Sequence, residues 1–177
     1  MKKQEFTILA IDDSLDDQML VTRAFRKNGV TSPINWVSSG EEAIAYLKGE
    51  GQFADRARYV YPSFIMTDLK MPNGDGFSVL EHLKSTPELA VIPTLVFTAS
   101  ADLDDIKRSY MLGAASYIVK PSDYEKMRRL MNIFYAYWME CETPETDLSG
   151  RRLDTESFGK LGARFINQDN NDVAGPT

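Results

Sequence analysis

Cysteine and histidine are nearly absent from these 177 residues: Cys141 and His82 are each the sole representative of their type. A single cysteine forms no internal disulfide and has no companion cysteine for a metal site, which fits a reducing compartment and gives Cys141 no chemical role. Long apolar runs are missing too. No stretch approaches the roughly 20 residues of a membrane-crossing helix, and the opening Met-Lys-Lys-Gln-Glu-Phe leads into strand-like sequence rather than the apolar core of a signal peptide. Both features predict a cytoplasmic protein without membrane contact. Positive charge is in deficit, 20 basic residues against 26 acidic ones for a formal charge of −6, so nothing draws the chain to nucleic acid or anionic lipid.

What is present is apolar patterning. Hydrophobic residues make up 43% of the chain, enough for the core of one domain of common size. Strand-length runs near 6–11, 34–37, 63–67, 94–98 and 116–119 alternate with segments of helical period: Asp16 to Lys27, Glu41 to Lys48, Phe77 to Lys84, Leu103 to Leu112 and Tyr124 to Met139. This βα alternation predicts an α/β fold, a five-stranded doubly wound parallel sheet with helices on both faces. Gly29 and Gly113 lie where helix C-terminal caps are expected. Residues 49–62 exceed the ~2–6 residues usual between a helix and a strand, and mark an insertion with its own role or its own mobility. The division expected is a domain over 1–140 and a polar tail over 141–177. Phe158, Leu161, Phe165 and Ile166 give that tail a weak amphipathic signal that Gly159 and Gly162 oppose.

The strands end in reactive groups. Asp12-Asp13 follow Thr7-Ile-Leu-Ala-Ile11, Asp68 follows Phe64-Ile-Met-Thr67, Thr98 follows Thr94-Leu-Val-Phe97, and Lys120 follows Tyr117-Ile-Val119. In an open α/β sheet, ligands bind at the carboxyl ends of the strands, near the reversal of strand order. Three aspartates gathered there repel one another unless a cation sits among them, and a few oxygen ligands at a shallow edge suit Mg²⁺ or Mn²⁺. Metal, ammonium and hydroxyl are the parts needed to pass a phosphoryl group to a carboxylate. Taken singly, each has a plainer reading: Asp12-Asp13-Ser14 as a helix cap, Asp68 as a turn residue, Lys120 as a solvated lysine. Only the conjunction points to chemistry.

Four motifs in order, Ile11-Asp-Asp-Ser14, Asp68-Leu-Lys-Met-Pro-Asn-Gly-Asp-Gly76, Phe97-Thr-Ala-Ser100 and Leu112-Gly-Ala-Ala-Ser-Tyr-Ile-Val-Lys-Pro121, resemble the receiver domain of two-component response regulators, the CheY-like family with a flavodoxin-like fold. The resemblance covers about residues 5–140. It implies that Asp68 accepts a phosphoryl group from a histidine kinase, that Asp13 binds Mg²⁺ directly and Asp12 largely through water, and that Lys70 offers its backbone carbonyl to the metal. It further implies that Thr98 and Lys120 hold the phosphoryl oxygens, that Ala99 stays small to admit the group, that Tyr117 is the aromatic switch beside Thr98, and that Lys120-Pro121 is a cis bond. The insertion and the aromatic last helix narrow the resemblance to stand-alone regulators serving phytochrome-like sensor kinases. Such a regulator acts by protein binding or phosphate relay and catalyses its own phosphorylation and dephosphorylation without being an enzyme in the ordinary sense.

Two other functions compete. A haloacid dehalogenase-type phosphohydrolase also forms an aspartyl phosphate, but needs a second carboxylate where this chain has Lys70. A phosphorylation-independent adaptor commonly loses an acidic-pair residue, the acceptor or the lysine, and none is missing. His82 reads as a solvated helix residue, and Gly74 and Gly76 as turn residues. From Met127 to Met139 the last helix reads Met-Arg-Arg-Leu-Met-Asn-Ile-Phe-Tyr-Ala-Tyr-Trp-Met, and its second half is apolar nearly all round, so either a second copy of the chain or the tail is expected to cover it, with a homodimer favoured.

Overall fold

The computed structural model describes residues 6–72 and 75–142. Five strands, β1 (Ile8–Ile11), β2 (Ile34–Val37), β3 (Phe64–Thr67), β4 (Thr94–Thr98) and β5 (Ser116–Val119), alternate with five helices, α1 (Leu15–Lys27), α2 (Gly40–Lys48), α3 (Gly76–Ser85), α4 (Leu103–Met111) and α5 (Tyr124–Glu140). All strands run parallel in the order β2-β1-β3-β4-β5. The order reverses at β1, between β2 and β3, so the carboxyl ends of β1 and β3 flank the crevice where such sheets bind ligands.

Every residue of β1, β3 and β4 is buried, as helices on both faces of a parallel sheet require. The pleat sends alternate side chains to opposite layers. Ile8, Ala10, Phe64, Met66, Leu95 and Phe97 join α1 and α5 in one core, while Leu9, Ile11 and Ile65 face α2, α3 and the segment before β3 in another. The helix starts are fixed by side-chain caps from Ser14, Ser39, Asp75, Asp102 and Asp123. Gly29 and Gly113 take φ of +76° and +94° at the ends of α1 and α4, the left-handed conformation that glycine adopts without a Cβ clash. None of the described helices is long and apolar enough to cross a membrane.

The insertion is packed. A short 3₁₀ turn, Gly51–Phe53, follows α2, and Tyr46, Phe53 and Tyr59 meet as a three-ring cluster with centroids 5.2–5.9 Å apart. Arg56 locks the segment, donating to the carbonyls of Leu47 and Tyr59 at 2.8 and 3.1 Å while its guanidinium lies 4.2 Å from the Tyr61 ring centre. Tyr46 is fully buried; its hydroxyl donates to the Val60 carbonyl at 2.7 Å and accepts from Asn35 at 3.1 Å. Burial pushes this phenol up from 10.0 to about 12, tempered by Arg56. The folded state therefore holds a proton that the unfolded chain sheds near pH 10, so this stabilisation is complete below pH 10 and is lost as pH rises toward 12. Wild-type protein is expected to lose on the order of 2–3 kcal/mol by this route. Tyr46→Phe should show a shallower decline in denaturation midpoint over that interval, from a lower starting stability.

Helix α5 is covered more fully by its own domain than its sequence predicts. Met127, Met131 and Phe134 are buried and Tyr135, Trp138 and Met139 pack against the same core, with Phe64 4.7 Å from both Phe134 and Trp138. Ile133 and Tyr137 remain on the outer face, 63% and 62% exposed. His82 also differs from expectation: it is half-buried, its Nε2 has no hydrogen-bond partner among the described residues, and burial, with Lys48 nearby, holds its imidazole below its usual range. The tail readings and Gly74 lie outside the described residues.

Candidate functional site

Asp12 and Asp68 leave the sheet one residue beyond β1 and β3, and adjacent strands in register bring them side by side. Asp12 is fixed by its own turn: its Oδ1 accepts from Ser14 N–H at 2.9 Å, and Gln18 Nε2 donates to its carbonyl at 2.6 Å. Asp68 Oδ1 accepts from the backbone N–H groups of Leu69 and Lys70 at 2.6 and 3.3 Å. This leaves Oδ2 to face the crevice. Lys120, one residue past β5 and tied by its N–H to the Thr98 carbonyl at 2.7 Å, reaches back across β4 to the pair.

Its ammonium is the centre of the site. Lys120 Nζ lies 2.7 Å from Asp12 Oδ2, 2.7 Å from Asp68 Oδ2 and 2.7 Å from Asp17 Oδ2, with its side chain 9% exposed. Burial alone pulls a lysine pKa down; here the hydrogen bonds to Asp12, Asp17 and Asp68 outweigh it, and Lys120 is raised and stays charged. Asp12, 4% exposed, is pushed above its usual value by burial, against the opposing pull of Lys120 and the Ser14 N–H. Three carboxylates around one ammonium leave a formal charge of −2. Among the described residues no three ligating groups close on a common point as a ready cage; they close on the ammonium. An all-oxygen, electronegative donor set of this kind fits a hard divalent cation rather than a soft one.

Sequence reasoning missed Asp17. In the first turn of a helix an aspartate passes for one that merely complements the helix dipole, and only the tertiary path of Lys120 reveals its partner. Asp13, read as a metal ligand, is exposed and makes no ion pair among the described residues. It sits at the mouth, next to Asp12. The Lys120–Pro121 bond is trans, since no cis peptide occurs among the described residues. Trans is the intrinsically favoured isomer, and the three carboxylates aim Lys120 without help from a cis bond.

Thr98 ends β4 with its side chain buried, and its Oγ1 accepts from Ser100 N–H at 3.4 Å. Tyr117 OH donates to the Ser100 carbonyl at 2.9 Å, so the aromatic ring is turned inward and tied to the loop after β4. Ser100 Oγ donates to Asp105 Oδ2 at 2.6 Å, and the exposed Lys70 Nζ lies 3.2 Å from the same oxygen. The Ser100 hydrogen bond first, with Lys70 beside it, holds Asp105 below the usual carboxylate range. Lys70, Ser100 and Asp105 thus bridge the loops after β3 and β4 to the first turn of α4.

A strand-end aspartate pair and a captive ammonium lie at one edge of the sheet, with Thr98 and Tyr117 both bonded to the Ser100 backbone, and the family model for the response regulator receiver domain matches residues 8–132. The chain belongs to that family. It is 34% identical over 137 residues to the probable methanogenesis regulatory protein FilR2 of Methanothrix harundinacea, covering 76% of this chain and 84% of that one. It is 29% identical over 136 residues to the response regulator Rcp1 of Synechocystis, covering 77% and 90%. The crystal structure of the phosphorylated cyanobacterial phytochrome response regulator RcpA superposes with a TM-score of 0.74 at 31% identity, covering 80% of this chain and 99% of that one. The Mn²⁺-bound form of Rcp1 superposes with a TM-score of 0.71 at 28% identity, covering 79% and 99%. This receiver domain is a two-component signalling module, with a flavodoxin-like sheet order.

Proposed function

We propose that Asp68 accepts a phosphoryl group from a phosphohistidine of a sensor kinase, phytochrome-like by analogy with RcpA, in the cytoplasm. The observation that carries this reading is the 2.7 Å contact between Lys120 Nζ and Asp68 Oδ2 at the carboxyl edge of the sheet. A carboxylate oxygen of Asp68 attacks phosphorus, the P–N bond breaks, and the imidazole departs with the bonding electrons. Lys120 and the Thr98 hydroxyl then hold phosphoryl oxygens, and Thr98 so placed favours the inward position of Tyr117. Mg²⁺ or Mn²⁺, held by Asp12, Asp13, Asp68 and the Lys70 carbonyl, would neutralise charge on the transferring group. The receiver unit is assigned to residues 1–140, with 141–177 as an extension, and Ile133 and Tyr137 on α5 support a homodimer surface that phosphorylation regulates.

Incubation with acetyl phosphate and Mg²⁺, followed by intact-mass measurement with and without EDTA, tests this. One added phosphoryl group is expected, absent with EDTA and absent in Asp68→Asn. No adduct from acetyl phosphate or a phosphorylated histidine kinase would favour a phosphorylation-independent adaptor, and steady turnover of phosphate esters would favour a phosphohydrolase.

The bridge over the mouth should set the lifetime of the adduct. Asp105→Ala releases both Lys70 and Ser100 and opens the site to water. Faster hydrolysis is expected, by up to about fivefold, the size of effect that a partly exposed ion pair supports. Lys70→Ala and Ser100→Ala should shift the lifetime without abolishing phosphorylation; equal decay rates in all three variants and wild type would contradict this role.

A further inference from the structure

An ammonium has three N–H donors, and in Lys120 all three are spent on carboxylates. Two of those carboxylates are required elsewhere in the proposed reaction. Asp68 becomes an acyl phosphate, and Asp12 turns toward the cation. Asp17 takes part in neither event. We infer that Asp17 is a positioning residue, the fixed anchor that keeps the Lys120 ammonium over the acceptor while Asp12 and Asp68 change partners. The inference rests on the phosphotransfer reading above.

The local structure is built to deliver this carboxylate. Asp17 is the third residue of α1, and its N–H donates to the capping Ser14 Oγ at 3.2 Å. The Ser14 N–H and the Gln18 side chain are in turn bonded to Asp12, so the first turn of α1 is locked to the end of β1. Asp17 consequently spans from α1 to the end of β5, 103 residues away in sequence. Its side chain is 33% exposed against 9% for Lys120, so it grips the ammonium from the rim and leaves the inner side to the reacting groups. A freely rotating lysine would have to be recaptured at each turnover, whereas a tethered one is already oriented.

The test compares wild type, Asp17→Asn, Asp17→Glu and Asp16→Asn in the full chain. Asp16→Asn removes the same charge from the same exposed helix turn, at a residue that makes no ion pair with Lys120. Two quantities are read: the phosphorylation rate with acetyl phosphate at saturating Mg²⁺, and the rate of reductive methylation of Lys120, followed by peptide mass without any phosphoryl donor. Asp17→Asn is expected to phosphorylate about tenfold more slowly, the lower range for loss of one hydrogen bond to a charged group, and to methylate faster at Lys120. Asp17→Glu should recover most of both, and Asp16→Asn should match wild type. Unchanged rates in Asp17→Asn, or equal slowing in Asp16→Asn, would overturn the inference alone. If wild type takes no phosphoryl group, the functional reading falls by itself; Lys120 methylation then decides whether Asp17 anchors the lysine, faster modification in Asp17→Asn supporting it and an unchanged rate overturning it.

Discussion

Replacing Lys120 by methionine is expected to lower folding stability at neutral pH by about 3–5 kcal/mol, the usual cost of removing one partner from a buried ion pair. Asp12 and Asp68, 4% and 9% exposed, would be left facing each other and Asp17 without a counter-charge. Burial already raises Asp12, and loss of the ammonium raises it further. A carboxyl whose folded pKa exceeds its unfolded one favours the folded state at low pH and loses that contribution as pH rises through the folded value. The deficit of the variant should therefore shrink as pH falls from neutrality toward the ordinary carboxylate range. A divalent cation should act in the same direction, because without the competing ammonium the carboxylates bind it more tightly, and at saturation each tenfold gain in affinity over wild type narrows the deficit by about 1.4 kcal/mol. Urea denaturation at two pH values, with and without Mg²⁺, checks both. A deficit indifferent to pH and to Mg²⁺ would mean that the carboxylates are not the source of the instability.

Gly76→Ala is the second substitution with a large expected effect. Gly76 opens α3 against the end of β3, and its N–H donates to the Leu69 carbonyl at 3.0 Å. A Cβ there would overlap the Asp68 carbonyl oxygen and stand 2.9 Å from Thr67 Oγ1 and 3.0 Å from the Asp68 carbonyl carbon. That carbonyl is itself fixed by the Thr67 hydroxyl at 2.8 Å, so backbone must move rather than a flexible side chain. Overpacking of this kind costs about 1–3 kcal/mol or more. The displaced group is the backbone of the acceptor itself, and a misplacement near 1 Å can cost about a hundredfold in rate. Denaturation midpoint and phosphorylation rate should both fall; wild-type values for both would show that α3 docks less tightly than described.

The sheet and its reactive edge were legible because the signals there are local. An apolar run followed at once by Asp12, Asp68, Thr98 or Lys120 fixes both the strand and the end at which chemistry collects, and the five strands fall within two residues of their expected bounds at each end. Asp17 was not legible, since its role depends on a lysine more than a hundred residues away and its position already has an ordinary helical explanation. The insertion read as anomalous in length, but its order comes from Arg56 threading Tyr46, Tyr59 and Tyr61, contacts that no periodicity encodes. Helix α5 misled for the opposite reason. Its two-sided apolar character reflects α1 and the β3 aromatic Phe64 wrapping around it, which leaves a narrower outer face than the sequence implies. The role of Gly76 was understated, because a turn glycine and a glycine forced by close backbone approach look identical in sequence.

The most direct test of the central claim is to locate the phosphoryl group. Protein treated with acetyl phosphate and Mg²⁺ is reduced with borohydride, which converts an aspartyl phosphate to homoserine, and the modified residue is read by peptide mass spectrometry. Homoserine at position 68, and nowhere among Asp12, Asp13 and Asp17, is the result predicted. Homoserine at another aspartate, with Asp68 intact, would show that the strand-end carboxylate gripped by Lys120 is not the acceptor.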